Sequence, residues 1–207
     1  MPRLSNKRTG QLLLLAVAIL LGGLWLWKHP LSGRGGLLIP GELAVEVPQY
    51  FQSDPRWRGD LLGGTSGTLG AQGCAVTSAS MVLGFYGMPV DPQKLNQFLK
   101  DHSGYEGQAW LRWESAAEFS PGLVQKAYED LPSYALIDWN LLHGNPVIVR
   151  IRRADGITHF ASIVGKRGFD YLIRDPAGWS NHEGGRVYPF VQLGVPIEAL
   201  RFYRRLE

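Results

Sequence analysis

The sequence predicts an α+β fold, with N-terminal helices packed on a C-terminal antiparallel sheet and one transmembrane helix ahead of them. Three observations carry this reading. Helical patterns bounded by glycine and proline fill the middle of the chain, β-branched and aromatic runs follow Pro146, and an uncharged apolar run stands near the N-terminus.

With 207 residues, 45% of them hydrophobic and 19% charged, the chain can bury one sizeable core. The net charge of +3 is set by its first residues: Arg3, Lys7, Arg8, Lys28 and Arg34 all precede residue 40. The other 16 Lys and Arg face all 18 Asp and Glu, a balance of −2. That near-neutral surface removes the electrostatic case for a nucleic-acid partner. The clusters "RIRR" (150–153) and "RFYRR" (201–205) read as solvated strand ends rather than phosphate sites.

Residues 1–11 are polar and basic, as a cytoplasmic N-terminus would be, and "LLLLAVAILLGGLWLW" (12–27) carries no charge. At about 1.5 Å per residue such a helix spans roughly 24 Å, against a hydrocarbon core of about 30 Å. Gln11, Trp25, Trp27 and Lys28 suit the interfaces. The segment reads as an uncleaved signal anchor, with a cleaved signal peptide as the alternative. Positive charge ahead of the run sends the remainder to the periplasm or outside the cell. "KHPLSGRGGLLIPGE" (28–42) is rich in Gly and Pro and reads as a linker, so the domain is expected over 43–207.

Within the domain, "LAVEV" (43–47) alternates as a short strand and is followed by a long loop up to Gly73. Loops of that length are usually functional or disordered. A helix is expected from Cys74, between Gly73 and Gly87, and another over 90–102, with Asp91 as cap and Pro92 at its first position. Weaker helices are read at about 111–119 and 121–129, and a short one in "DWNLLHGNP" that stops at Gly144. "VIVRIRR", "HFASIVG", "YLIRDP", "RVYPF" and "ALRFYRR" supply the strands.

Cys74 is the lone cysteine, so it is either a small buried hydrophobe or a reactive thiol. At a helix start, orphan N–H groups and the positive end of the dipole favour the thiolate. A nucleophile needs a base. Of five histidines, His29 lies in the linker, His102 and His143 at helix ends and His182 in a turn, whereas His159 opens an apolar strand. "HFASIVGKRGFDYLIRD" reads as a hairpin turning at Lys166–Gly168. With the turn centred on Arg167, His159 and Asp175 become cross-strand neighbours, Cβ atoms about 4.5–5.5 Å apart. A one-residue slip would separate them. Thiol, imidazole and carboxylate are the parts of nucleophilic acyl transfer.

"VPQYFQSDPRW", "GCAVTSASMVLGFYG", "THFASIVG" and "IRDPAG", in that order, resemble the bacteriocin-processing (double-glycine leader) peptidase-like branch of the papain-fold cysteine peptidases. The resemblance implies a papain-like fold, with Cys74 as nucleophile, His159 as general base and acid, and Asp175 orienting His159. It also implies an oxyanion-stabilising Gln ahead of the Cys. Gln52 is the choice, with Gln72 and Gln49 as alternatives. Relatives commonly carry Gly-Pro after the cysteine, where this chain has Ala75-Val76. Dedicated leader peptidases are joined to an ATP-driven exporter, whose nucleotide-binding motif this sequence lacks, so a stand-alone anchored hydrolase is expected.

The expected activity is that of an extracytoplasmic thiol peptidase or amide hydrolase, its partners a peptide or protein substrate and the membrane. Cell-wall peptide amidase activity and a non-catalytic peptide-binding or assembly module are the alternatives. No His/Cys/Asp/Glu cluster shows ligand spacing, and neither metal nor cofactor is expected.

Overall fold

The computed structural model describes residues 10, 11, 13–15, 17, 30–178 and 187–206. The chain divides into two compact units, Met1–Pro30 and Leu31–Glu207. In the first, the described residues are helical up to 17. Most of the expected basic segment 1–11 and span 12–27 lies outside the described residues, among which no helix is long and apolar enough to cross a membrane.

The second unit is an α+β domain built on one large antiparallel sheet. Its strands are β1 (Arg34–Ala44), β4 (Val124–Asp130), β5 (Val147–Arg152), β6 (Thr158–Arg174), β7 (Tyr188–Pro189) and β8 (Ile197–Arg205), in the order β1-β6-β5-β8-β4 with β7 on β6. The short pair β2 (Tyr105–Glu106) and β3 (Trp110–Leu111) stands apart. The helices are α1 (Leu69–Gln72), α2 (Cys74–Phe85), α3 (Pro92–Asp101), α4 (Trp113–Ala117) and α5 (Tyr134–Leu142).

Helix α2 is the centre of this domain. It rests on β5 and β6 and is covered by α3 and α4. Nine of its residues, Cys74 and Val76 through Leu83, are buried. A helix buried on every side belongs in a core, and α2, whose buried polar side chains are the small Thr77, Ser78 and Ser80, joins two core clusters through Val76, Ala79, Val82 and Leu83 on one and Met81 on the other. The expected caps are in place on α3: Asp91 Oδ1 accepts from Lys94 N at 2.8 Å, and Pro92 starts the helix.

Three expectations are corrected. The linker read over 28–42 contains a strand, because β1 begins at Arg34 and pairs with residues 165–170 of β6. A buried cluster fastens it: Asp138 of α5 accepts from Leu37 N at 2.6 Å, from Lys166 Nζ at 2.5 Å and from Tyr171 Oη at 2.9 Å. The helix read at 121–129 is β4. Its helix-forming Gln, Lys, Ala and Glu are overruled by pairing with β8 and by Tyr128 stacking on Phe202 at 5.4 Å. "DWNLLHGNP" is the end of a longer helix, since Ser133 caps α5 a turn earlier than read.

Candidate active site

Cys74 is the first residue of α2, as the sequence indicates. Gly73 precedes it, and a Cβ there would stand 2.4 Å from the Leu69 carbonyl oxygen. Glycine therefore lets α1 run directly into α2 and fixes where the thiol sits. Cys74 is 8% exposed, and it lines a cleft of about 540 Å³.

His159 faces it from the sheet, held by the pairing of His159 with Ile151 across β6 and β5. Its Nε2 shares a 2.8 Å hydrogen bond with Oδ1 of Asp175, sixteen residues on. In an extended strand, rising about 3.3 Å per residue, those residues would be about 50 Å apart. The segment therefore doubles back. Gly168, with φ +60°, is its left-handed residue and lies within the expected turn. Lys166 Nζ and Tyr171 Oη, on either side of Gly168, meet at 3.3 Å.

The Cys74 thiol lines the same cleft as this imidazole and is close enough to act on its charge. Burial works against a charged ring, but the hydrogen bond with Asp175 and the nearby Cys74 sulfur, reinforced by the charges of both, outweigh it and push the His159 pKa up to about 9.

Asp175 lies behind His159, its side chain fully buried. Besides the imidazole, Ala177 N donates to Oδ1 at 2.8 Å and Tyr188 Oη donates to Oδ2 at 3.0 Å. Sequence reasoning missed Tyr188. It reaches Asp175 because β7 pairs Tyr188 with Ile173, two residues before the carboxylate.

Gln52 ties the two halves of the site together. Its backbone N donates to Pro176 O at 2.9 Å, beside Asp175, and its Nε2 donates to Gly70 O at 2.9 Å, in the helix before Cys74. Gln52 is buried and lines the cleft with Cys74 and His159. Gln72 lines it too, from an exposed position. Gln49 is directed elsewhere, with Nε2 donating to the carbonyls of Tyr50 at 2.8 Å and Asp175 at 3.2 Å.

His102 and His143 each bond a carbonyl of their own helix, Phe98 O at 2.9 Å and Trp139 O at 2.7 Å. His29 and His182 lie outside the described residues. Among the described residues no group of three His, Cys, Asp or Glu is placed to hold a metal ion.

A protein-family model described as "Peptidase_C39 like family" matches residues 44–197. Among solved structures, a chain described as a C39-like peptidase from Bacillus anthracis is 17% identical. The match covers 79% of this chain and 98% of that one, with a TM-score of 0.48. No curated protein matches.

Proposed function

The chain belongs to the peptidase C39-like family, and on that premise we propose that it is a papain-like thiol hydrolase that cleaves amide bonds in peptide-like substrates. One observation carries this reading: a buried imidazole, bonded to Asp175 behind it at 2.8 Å, shares one cleft with the thiol of Cys74 at the head of a buried helix and is influenced by its charge.

The chemistry follows from the atoms. His159 takes the proton of Cys74, and the sulfur attacks the substrate carbonyl carbon. The carbonyl oxygen becomes an oxyanion, for which the second Nε2 hydrogen of Gln52 and the N–H of Cys74 are the donors. The first Nε2 hydrogen, held by Gly70 O, fixes the amide plane. Collapse breaks the C–N bond, and His159 returns its proton to the leaving amine. A water, deprotonated by the same ring, then releases the acyl group and restores the thiol. Asp175 touches no substrate. It keeps Nε2 occupied and stabilises the imidazolium.

Resemblance to the double-glycine leader branch favours peptides over other amides, and the apolar run 12–27 with basic residues before it favours a membrane-anchored domain facing the periplasm or cell exterior. The test is direct: incubate the full chain with peptide pools, quench in acid and weigh the intact protein. A thioester adduct on Cys74 is expected. Absence of any adduct, with no peptide cleaved, would contradict the proposal.

A further inference from the structure

One wall of the same cleft carries a buried cation that the chemistry above does not use. Arg201, on β8, comes from the "RFYRR" cluster read as a solvated strand end, but it is 7% exposed and lines the cleft with Cys74 and His159. Its guanidinium lies against a pair of touching rings, 5.0 Å from the Trp113 centroid and 4.9 Å from that of Phe160, the residue after His159, the two centroids being 5.3 Å apart. Only part of the fork is satisfied. Nε donates to Glu129 Oε1 at 3.2 Å, across the β8–β4 pair, whereas Nη1, itself buried, has no hydrogen-bond partner among the described residues.

A guanidinium held this way is costly unless an acceptor arrives, because an unpaired buried donor forfeits its hydration. Among the described residues its neighbours do not supply one. Glu129, also in the cleft wall, is shared with Lys126 at 3.0 Å. Arg153, a second cation of the wall, has Asp155 at 3.1 Å. Glu106 lines the cleft from an exposed position. Arginine's planar fork matches a carboxylate, and the Trp113–Phe160 pair packed against the guanidinium, with Glu129 on Nε, limits its movement.

We propose that Arg201 forms an anion subsite of the cleft and selects substrates that place a carboxylate there, either an acidic side chain or a free C-terminus. The proposal rests on the hydrolase reading, and its test separates the two. Paired peptides differing as Glu against Gln at each position, and as C-terminal acid against amide, are compared in two assays on the full chain: kcat/KM with the wild type, and equilibrium binding to Cys74→Ala. The carboxylate member of one pair is expected to be favoured about 10- to 100-fold, the range of a charged hydrogen bond. Which pair responds identifies the source of the carboxylate.

Arg201→Met should bring that ratio to about 1, with the neutral peptide still turned over as evidence of a folded site, and Arg201→Lys should keep part of it. Should Arg201→Met fail to fold, Glu129→Gln decides. Removing the competing carboxylate should raise the ratio, and an unchanged or lower ratio overturns the subsite. No carboxylate preference in either assay, or a preference that survives Arg201→Met, also overturns it. An Arg201-dependent preference in binding without hydrolysis supports the subsite and rejects the hydrolase.

Discussion

His159 and Asp175 are joined at 2.8 Å across a strand segment that folds back at Gly168, so backbone geometry delivers the carboxylate to the imidazole. The pH profile should report this bond. With the His159 pKa pushed up to about 9, the imidazolium persists through neutral pH and is lost above it. The alkaline limb of kcat/KM is therefore expected near pH 9 in the wild type. The stability that the charged ring contributes is full below about pH 6.5 and is lost as pH rises through about 9. In Asp175→Asn an amide oxygen still accepts the ring N–H, but the charge is gone, so the limb should move to lower pH while much activity remains. A limb that stays in place in Asp175→Asn would remove Asp175 from the site's electrostatics.

Tyr188→Phe should lower stability by about 1–3 kcal/mol in urea unfolding, because Oδ2 of a fully buried carboxylate loses its donor. Unchanged stability would show that Oδ2 finds another partner.

Gln52→Ala should reduce kcat by about 10²- to 10³-fold with KM little changed, the usual consequence of removing one oxyanion donor. Gln72→Ala should have little effect. Steady-state kinetics of both variants on one substrate decide between them, and the reverse pattern would transfer the role to Gln72.

These positions differ in how legible they were. The start of α2 could be read because Gly73 and Gly87 punctuate an apolar run, and the His159–Asp175 meeting because their spacing brackets a glycine turn. Both are local signals. The strand β4 was hidden by residues whose own preference is helical, and only its partner β8 overrides them. The strand β1 looked like a linker because what secures it, Asp138 with Lys166 and Tyr171, lies about a hundred residues or more away. Tyr188 and Arg201 offered no signal at all. An aromatic or an arginine within a strand becomes part of a site only through what the sheet sets beside it.

That same cluster predicts a stability effect remote from catalysis. Lys166 and Asp138 are both buried, so Lys166→Met should cost about 3–5 kcal/mol by leaving a carboxylate without its cation. The double variant Lys166→Met/Asp138→Asn should recover part of that loss. Urea unfolding of the single and double variants checks it, and additive losses would deny the coupling.

The hydrolase reading stands or falls with Cys74 as the nucleophile. Turnover of a cleaved peptide by Cys74→Ala, compared with wild type at equal folded concentration, tests it most directly. A methyl group fits the buried start of α2, so the variant should fold and bind peptide yet lose roughly 10⁴-fold or more in kcat. A Cys74→Ala protein that retains a substantial fraction of wild-type turnover would contradict the claim and make Cys74 a structural residue.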